Sequence, residues 1–85
     1  MSHFVMYCLD GEQGAELRPQ LRESHLAYIR STGMVRLAGP MLGDDGKPVG
    51  SLLIVEAQDM DAVRAFAAAD PYAKAGLFAS VEIRP

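Results

Sequence analysis

Apolar residues are arranged along the chain in four short runs and two longer segments with helical spacing. In residues 3–9 every side chain after His3 is apolar, so a strand there has two apolar faces. Three further runs of this kind have strand length. The strands are predicted over residues 3–9, 34–42, 50–56 and 77–83, and the helices over residues 15–31 and 59–69. The predicted order is therefore β-α-β-β-α-β.

The first helix has one apolar stripe that includes a histidine. Pro19 is tolerated only in the first turn of a helix, so the regular part is expected to start near Arg18. Gly33 is typical of a helix C-terminus. Spacing of about 100° per residue puts five side chains within a sector of about 120° facing the sheet; they are Leu17, Leu21, His25, Tyr28 and Ile29.

Turn and cap residues divide the second half of the chain. Gly39-Pro40 inside the second strand indicates an edge position, a bulge or a bend. The sequence Asp44-Asp45-Gly46 indicates a turn between the second and third strands. Asp59 is predicted to cap the second helix, and Asp70-Pro71 to begin a short helical piece that ends at Gly76.

This element order is that of the ferredoxin-like α+β fold, with a split β-α-β unit. Two helices cover only one face of a four-stranded sheet. The other face is predicted to carry Val5, Tyr7 and Leu9, together with Leu53 and Val55 or their neighbours. An apolar patch of this size is unusual on a monomer, so a homodimer with two sheets packed face to face is expected.

Composition narrows the range of functions. A chain of 85 residues forms one domain, residues 1–85, and 49% hydrophobic with 22% charged residues is an ordinary globular composition. A net charge of −3 argues against nucleic acid as a partner. No apolar run is long enough to span a membrane, no targeting segment is recognisable, and the single cysteine excludes an internal disulfide. We therefore expect a cytoplasmic protein with a reduced thiol.

Metal and nucleotide motifs are absent from the sequence. The two histidines, His3 and His25, and the single Cys8 show no spacing typical of metal ligands. The glycine-containing stretch 43–48 is acidic and does not match a phosphate-binding loop. We predict no metal and no cofactor.

His25 is the residue with the clearest chemical potential. It lies in the middle of the apolar stripe, where an imidazole must satisfy two ring nitrogens and titrates near neutrality. A carboxylate on one nitrogen fixes the tautomer and leaves the other nitrogen as a base. Asp70 is a candidate for that carboxylate, since it lies between an apolar helix face and Pro71-Tyr72. A plain core contact for His25 and a plain helix cap for Asp70 are the structural alternatives, and one carboxylate oxygen could cap while the other binds the ring.

Other polar residues are candidates for binding a ligand. Ser51, or a backbone amide near Gly39, is suited to a developing oxyanion. Arg22 and Arg36 are suited to a carboxylate or phenolate, although a solvated arginine is the more ordinary case. Tyr72 is placed with the substrate-binding residues because it directly follows Asp70-Pro71.

Four short fragments occur in an informative order: His25-Leu26-x-Tyr28, Gly39-Pro40, Gly50-Ser51 and Asp70-Pro71-Tyr72. Together they resemble the YCII-related (YciI-like) family over nearly the whole chain. The resemblance implies a ferredoxin-like fold, a dimeric α/β barrel, and an active-site cleft in which His25 is paired with Asp70 and Ser51 is a third polar group. Some related proteins are dehydrochlorinases of chlorinated hydroxyquinols.

The function expected from these observations is that of a small cofactor-independent enzyme. His25 and Asp70 would act as a dyad that moves a proton on a small, aromatic-derived metabolite, in a lyase or isomerase step. A dimer that binds a metabolite or a partner protein without turnover is the main alternative. An RNA-recognition module shares the element order but needs exposed aromatics and a basic surface. A cofactor-independent oxygenase needs a large apolar pocket, which fits poorly with 7% aromatic residues.

Overall fold

A four-stranded antiparallel sheet carries three helices on one of its faces in the computed structural model, which describes residues 1–85. The strands pair in the order β2-β3-β1-β4, so β1 and β3 are central and β2 and β4 are edges. The elements are β1 (Ser2–Asp10), α1 (Gly14–Thr32), β2 (Val35–Leu42), β3 (Pro48–Ala57), α2 (Met60–Ala69), α3 (Pro71–Lys74) and β4 (Phe78–Arg84). The ferredoxin-like α+β fold predicted from the element order is confirmed.

Cap and turn residues behave as the sequence predicts. Gly33 ends α1 in the left-handed conformation, at φ 67°. The Asp59 carboxylate accepts a hydrogen bond from the backbone N–H of Ala62 and caps α2. Gly39 and Pro40 lie in edge strand β2, whose pairing with β3 shifts register between Met41 and Leu42. A proline at an edge leaves no central ladder bond unmade.

Helix α1 starts earlier than predicted. It begins at Gly14, so Pro19 lies inside it rather than in its first turn. The turn before Pro19 still forms, with the backbone N–H of Leu17 donating to the carbonyl of Gln13. Pro19 removes one donor, which would otherwise bond the carbonyl of Ala15. Ala15 is exposed, so water can satisfy that carbonyl and the helix continues.

The core lies between the sheet and the helices. Phe4, Met6 and Cys8 of β1 are buried there, as the alternation in the sequence predicts. Leu53 and Val55 of β3 are also buried on this face, which corrects their tentative placement on the opposite one. The β1–β3 register pairs Met6 with Leu53 and Phe4 with Val55, and directly paired residues share a face.

The opposite face of the sheet has no helix over it. It carries Val5, Tyr7 and Leu9 of β1, and the neighbours Leu52 and Ile54 from β3. Tyr7 and Leu9 are exposed, and the others are partly exposed. In helix α1, α2 and α3 no stretch is both long and apolar enough to cross a membrane.

A close approach between the backbones of β1 and β3 positions the polar end of β3. A Cβ atom built on Gly50 would overlap the backbone oxygen of Cys8 and the side chain of Met41. Only glycine allows β1 and β3 to approach this closely. The next residue, Ser51, lies directly opposite Cys8 on the helix-covered face.

Candidate active site

His25 and Asp70 meet between α1 and the start of α3. The Nδ1 atom of His25 lies 2.8 Å from Oδ1 of Asp70, and both residues are buried. His25 lies on the sheet-facing stripe of α1. Asp70 is both the C-cap residue of α2 and the N-cap residue of α3. The structure thus brings together the two side chains that the sequence analysis paired, at a distance typical of a hydrogen bond.

Asp70 performs its two roles with a single oxygen. Oδ1 accepts the backbone N–H of Tyr72 at 2.9 Å as well as binding the His25 ring. The expected division, one oxygen for the cap and the other for the imidazole, is wrong. The backbone N–H is an obligatory donor, so the short helix α3 orients the carboxylate that orients the histidine.

The Asp70 contact leaves the second ring nitrogen of His25 free. A carboxylate that accepts from Nδ1–H leaves the lone pair on Nε2. Nε2 has no hydrogen-bond partner in the chain, and no buried polar atom of a side chain is left unpaired. Nε2 is therefore accessible, and His25 forms part of the wall of a cavity.

Tyr72 packs flat against the histidine ring. The two ring centroids are 3.9 Å apart and the planes differ by 7°. Burial raises the pKa of the Tyr72 hydroxyl, while the nearby guanidinium groups of Arg18 and Arg22 lower it in part. The hydroxyl is thus kept protonated and is a hydrogen-bond donor at neutral pH.

Arg18 is a site residue that the sequence reasoning did not select. Its Nε and Nη2 atoms each lie 2.7 Å from a carboxylate oxygen of Asp10, and Nη2 also donates to Oγ of Ser51 at 3.0 Å. Its Cζ atom lies 5.3 Å from the centre of the Tyr72 ring. The hydrogen bonds that Arg18 donates to the Asp10 carboxylate raise the pKa of Arg18 still further, so the guanidinium is always charged.

A signal for Arg18 does exist in the sequence. It precedes His25 by seven residues, which is nearly two helical turns, so the two side chains leave α1 within about 20° of each other. Asp10, the partner of Arg18, lies at the end of β1, and only the tertiary fold shows that pairing.

The cavity beside these residues has a volume of about 500 Å³. It opens between α1 and the β2–β3 end of the sheet. Its apolar wall includes Leu26, Ile29, Pro40 and Leu53, and its polar wall includes Arg18, Arg22, His25, Lys47, Ser51 and Tyr72. None of the lining residues is acidic.

The predicted ligand-binding residues divide into two groups. The cavity is lined by Ser51, Arg22, Tyr72 and Gly39. Gly39 pairs with Leu52, whose side chain points to the helix-free face, so it is the backbone of Gly39 that lines the cavity. Ser51 contacts Arg18 rather than the His25–Asp70 pair.

Arg36 does not reach the cavity. Its guanidinium is exposed and pairs with the Glu56 carboxylate at 2.8 Å. That contact lowers the pKa of Glu56. Arg36 lies at the register irregularity between Val35 and Leu37. Its partner Glu56 alternates with the buried Val55 and Ala57 of β3 and so lies on the helix-free face of the sheet.

Cys8 lies beneath the site and is fully buried. Burial, with a smaller contribution from the Asp70 carboxylate, raises the pKa of its thiol to about 12. A thiol held protonated is a poor nucleophile, so Cys8 has a packing role. No three histidine, cysteine or acidic side chains lie together as metal ligands.

The fold and the site together define a class: small ferredoxin-like proteins with a buried His–Asp pair at a cavity under the sheet. The chain matches the YCII-related domain over residues 2–85, and it belongs to that family. It is 33% identical to the protein YciI of Escherichia coli O6:H1 (strain CFT073), over 96% of this chain and 93% of that one. An uncharacterized protein of Haemophilus influenzae is 32% identical over 98% and 94% of the two chains.

A solved structure of an enzyme is also similar. This is the 5-chloro-2-hydroxyhydroquinone dehydrochlorinase TftG from Burkholderia phenoliruptrix AC1100, in complex with 2,5-dihydroxybenzoquinone. The TM-score is 0.89 at 34% sequence identity, and the match covers 99% of this chain and 92% of TftG. The structural neighbour is thus an enzyme that acts on a small hydroquinone.

Proposed function

We propose that this protein is a small-molecule enzyme that catalyses a lyase or isomerase step by proton transfer at Nε2 of His25. The single observation that carries the proposal is the state of the His25 ring. Its Nδ1 is engaged by buried Asp70, while Nε2 has no hydrogen-bond partner in the chain, and His25 forms part of the cavity wall. An oriented imidazole with one accessible nitrogen is suited to general acid–base catalysis.

Each polar group has a role in this proposal. Asp70 holds the ring and stabilises the positive charge that it acquires on taking up a proton. Ser51 Oγ accepts from Arg18, so its own hydroxyl hydrogen is available to a ligand oxygen that becomes negative. Positioned acid–base catalysis of this kind typically supplies about 10²–10⁴-fold, which is enough for a substrate that is already acidic.

The substrate class is a small, ring-shaped metabolite with acidic hydroxyl groups. The likeness to TftG supports this class, and so does a cavity of about 500 Å³, which is within the range that holds small ligands. The reaction needs neither a metal nor a cofactor in this proposal, because the step is a proton transfer.

Loss of HCl from 5-chloro-2-hydroxyhydroquinone balances on proton transfers alone. Two ring hydroxyl groups each lose a proton as the quinol becomes a quinone. The carbon that carried chlorine gains one proton as chloride leaves. The two electrons lost when the quinol is oxidised are the two electrons that convert the C–Cl bond to C–H and chloride, so no outside oxidant is required. His25 would accept a hydroxyl proton and return it to the ring carbon.

The proposal includes a homodimer formed through the helix-free face of the sheet. The residues that support it are Tyr7, Leu9 and Val5 of β1 with Leu52 and Ile54 of β3, which form an apolar surface around the two central strands. A second copy of the same sheet is the simplest partner for such a self-complementary patch. A cytoplasmic location fits the free thiol of Cys8.

The test is anaerobic incubation of the purified protein with 5-chloro-2-hydroxyhydroquinone, with chloride release measured against buffer alone. Deuterium exchange at the ring carbons of 2,5-dihydroxybenzoquinone in D₂O is a second readout of proton transfer. We expect acceleration in at least one of the two. Binding of these compounds with no acceleration in either would support the alternative of a non-catalytic binding module.

A further inference from the structure

We infer that the ligand of this cavity is a planar organic anion, and that Arg18 is the residue that binds its negative charge. The inference deepens the proposed function, on which it rests in taking the cavity beside His25 as the ligand site. It concerns binding, however, and is tested without turnover. It gives the Arg18 guanidinium and its partner Asp10 a direct role in holding the ligand, beyond the contact of Arg18 with Ser51.

The first observation is the charge of the cavity wall. The protein as a whole is acidic, with a net charge of −3. The wall nevertheless carries Arg18, Arg22 and Lys47 and no acidic side chain. The Asp10 and Asp70 carboxylates near it are turned to Arg18 and His25. A concave surface of one sign concentrates ligands of the opposite sign.

The second observation is that Arg18 is held in place before any ligand arrives. Two of its nitrogens are bonded to Asp10, and one of these also bonds to Ser51. Its side chain is only 12% exposed. A guanidinium fixed in this way loses little conformational freedom when it binds an anion.

The third observation is that one end of this guanidinium remains free. Nη1 of Arg18 has no hydrogen-bond partner in the chain, and no buried polar side-chain atom is left unpaired. Nη1 is therefore accessible, on a residue that forms part of the cavity wall. Asp10 neutralises much of the charge but leaves two N–H donors directed away from the carboxylate.

The shape of the ligand follows from the neighbours of Arg18. Tyr72 and His25 are parallel rings, and the apolar side of the cavity is formed by aliphatic side chains such as Leu26 and Leu53. A concave apolar wall next to fixed donors suits a ring whose negative charge is delocalised onto oxygen, as in a phenolate, a carboxylated ring or an ionised hydroxyquinone.

The experiment compares two quinones that share the planar ring and the positions of their oxygen substituents but differ in charge. The compound 2,5-dihydroxybenzoquinone is a strong vinylogous acid and is an anion at neutral pH, whereas 2,5-dimethoxybenzoquinone cannot ionise. Binding of each is measured by isothermal titration calorimetry at low and high salt. We expect the anion to bind at least about tenfold more tightly, and this preference to shrink as salt is added.

Three variants locate the source of the preference. In His25→Asn proton transfer is abolished but the preference for the anion should remain, which separates this inference from the proposed function. Asp10→Asn keeps the arginine and should keep the preference. The double variant Asp10→Asn/Arg18→Met removes both members of the ion pair, so that no unpaired charge stays buried, and should lose about tenfold in affinity for the anion alone.

Several results would overturn the inference. Equal affinity of the wild-type protein for the two quinones would do so without any variant, and so would a failure to bind either at millimolar concentration. A folded double variant that still prefers the anion would show that Arg18 does not bind the charge. Loss of the preference in Asp10→Asn as large as in the double variant would reduce Arg18 to a structural partner of Asp10.

Discussion

The ring of His25 lies parallel to the ring of Tyr72, with 3.9 Å between the centroids and 7° between the planes. Tyr72 is also the residue whose backbone N–H holds the Asp70 carboxylate against His25. The imidazole is thus restrained on one face by stacking and at one edge by a hydrogen bond. Both restraints come from the three-residue stretch Asp70-Pro71-Tyr72, so a single tight turn positions the proposed base.

Replacement of the proposed base should remove activity while leaving the fold. We expect His25→Asn to lower the rate of chloride release or of ring deuteration by about 10²–10⁴-fold, because asparagine cannot accept the proton. The matched control is His3→Asn, which changes the exposed histidine at the start of β1. Full activity in a folded His25→Asn protein would contradict the proposal.

Two substitutions of Tyr72 separate its ring from its hydroxyl. Tyr72→Ala should lower the free energy of unfolding by about 3–5 kcal/mol, as expected for a buried aromatic side chain. Tyr72→Phe keeps the stack on His25 and should cost less than about 1.5 kcal/mol. Urea unfolding of the two variants measures both values. Equal losses would show that the hydroxyl, rather than the ring, stabilises this region.

Gly14 makes room for the carboxylate that holds Arg18. A Cβ atom built on Gly14 would lie 2.6 Å from Oδ2 of Asp10, so alanine there must displace that side chain. We expect Gly14→Ala to cost about 1–3 kcal/mol of stability and to weaken binding of 2,5-dihydroxybenzoquinone.

The control for Gly14 is Gly11→Ala, in the loop between β1 and α1. There the new Cβ would lie at ordinary contact distance, 3.4 Å from the carbonyl oxygen of Leu77. Thermal unfolding and calorimetric titration of both variants test the difference. A Gly14→Ala protein as stable and as tight a binder as Gly11→Ala would contradict the role given to the Asp10 contact.

The buried thiol of Cys8 should make the protein sensitive to alkali. Its folded pKa of about 12 lies above the ordinary value of 9.0, so the folded state holds the proton more tightly than the unfolded state. The corresponding stability is complete below about pH 9 and is lost as pH rises from about 9 toward 12. The raised pKa values of Tyr28 and Tyr72 act in the same direction.

Substitution of Cys8 tests this dependence. Cys8→Ala removes the titrating group, so its free energy of unfolding should fall less between pH 7 and pH 10 than that of the wild type, under reducing conditions. The small cavity left behind lowers stability at both pH values and does not alter the comparison. Parallel pH profiles for the two proteins would rule out the thiol as the cause.

The homodimer is tested on the helix-free face of the sheet. We expect Tyr7→Glu to shift the protein from dimer to monomer in sedimentation, because a charge would be buried in the middle of the interface. Val49→Glu is the matched control, since Val49 has the same exposed fraction, 44%, and lies in β3 beyond the last residue that pairs with β1. A monomeric wild type, or dissociation by both variants, would contradict the predicted interface.

Local patterns in the sequence were sufficient for the elements and their order, whereas the pairing of His25 with Asp70 was implied by the resemblance to the YCII-related family. Alternation in β1, the glycine after α1 and the Asp70-Pro71 cap depend on neighbouring residues, and each was confirmed at its predicted position. The start of α1 was predicted too late, because proline was expected only in the first turn of a helix. The carbonyl that loses its hydrogen-bond donor to Pro19 is exposed to water, so the helix includes Pro19 at an interior position.

Contacts between distant parts of the chain were decided by the tertiary structure alone. The salt bridge of Arg18 with Asp10, its bond to Ser51, and the exclusion of Arg36 from the cavity all depend on strand register and on how α1 crosses the sheet. The same register places Leu53 inside and Leu52 outside. Side chains of an amphipathic element reveal which face is buried, but the partner on the other side of that face is set only when the elements pack.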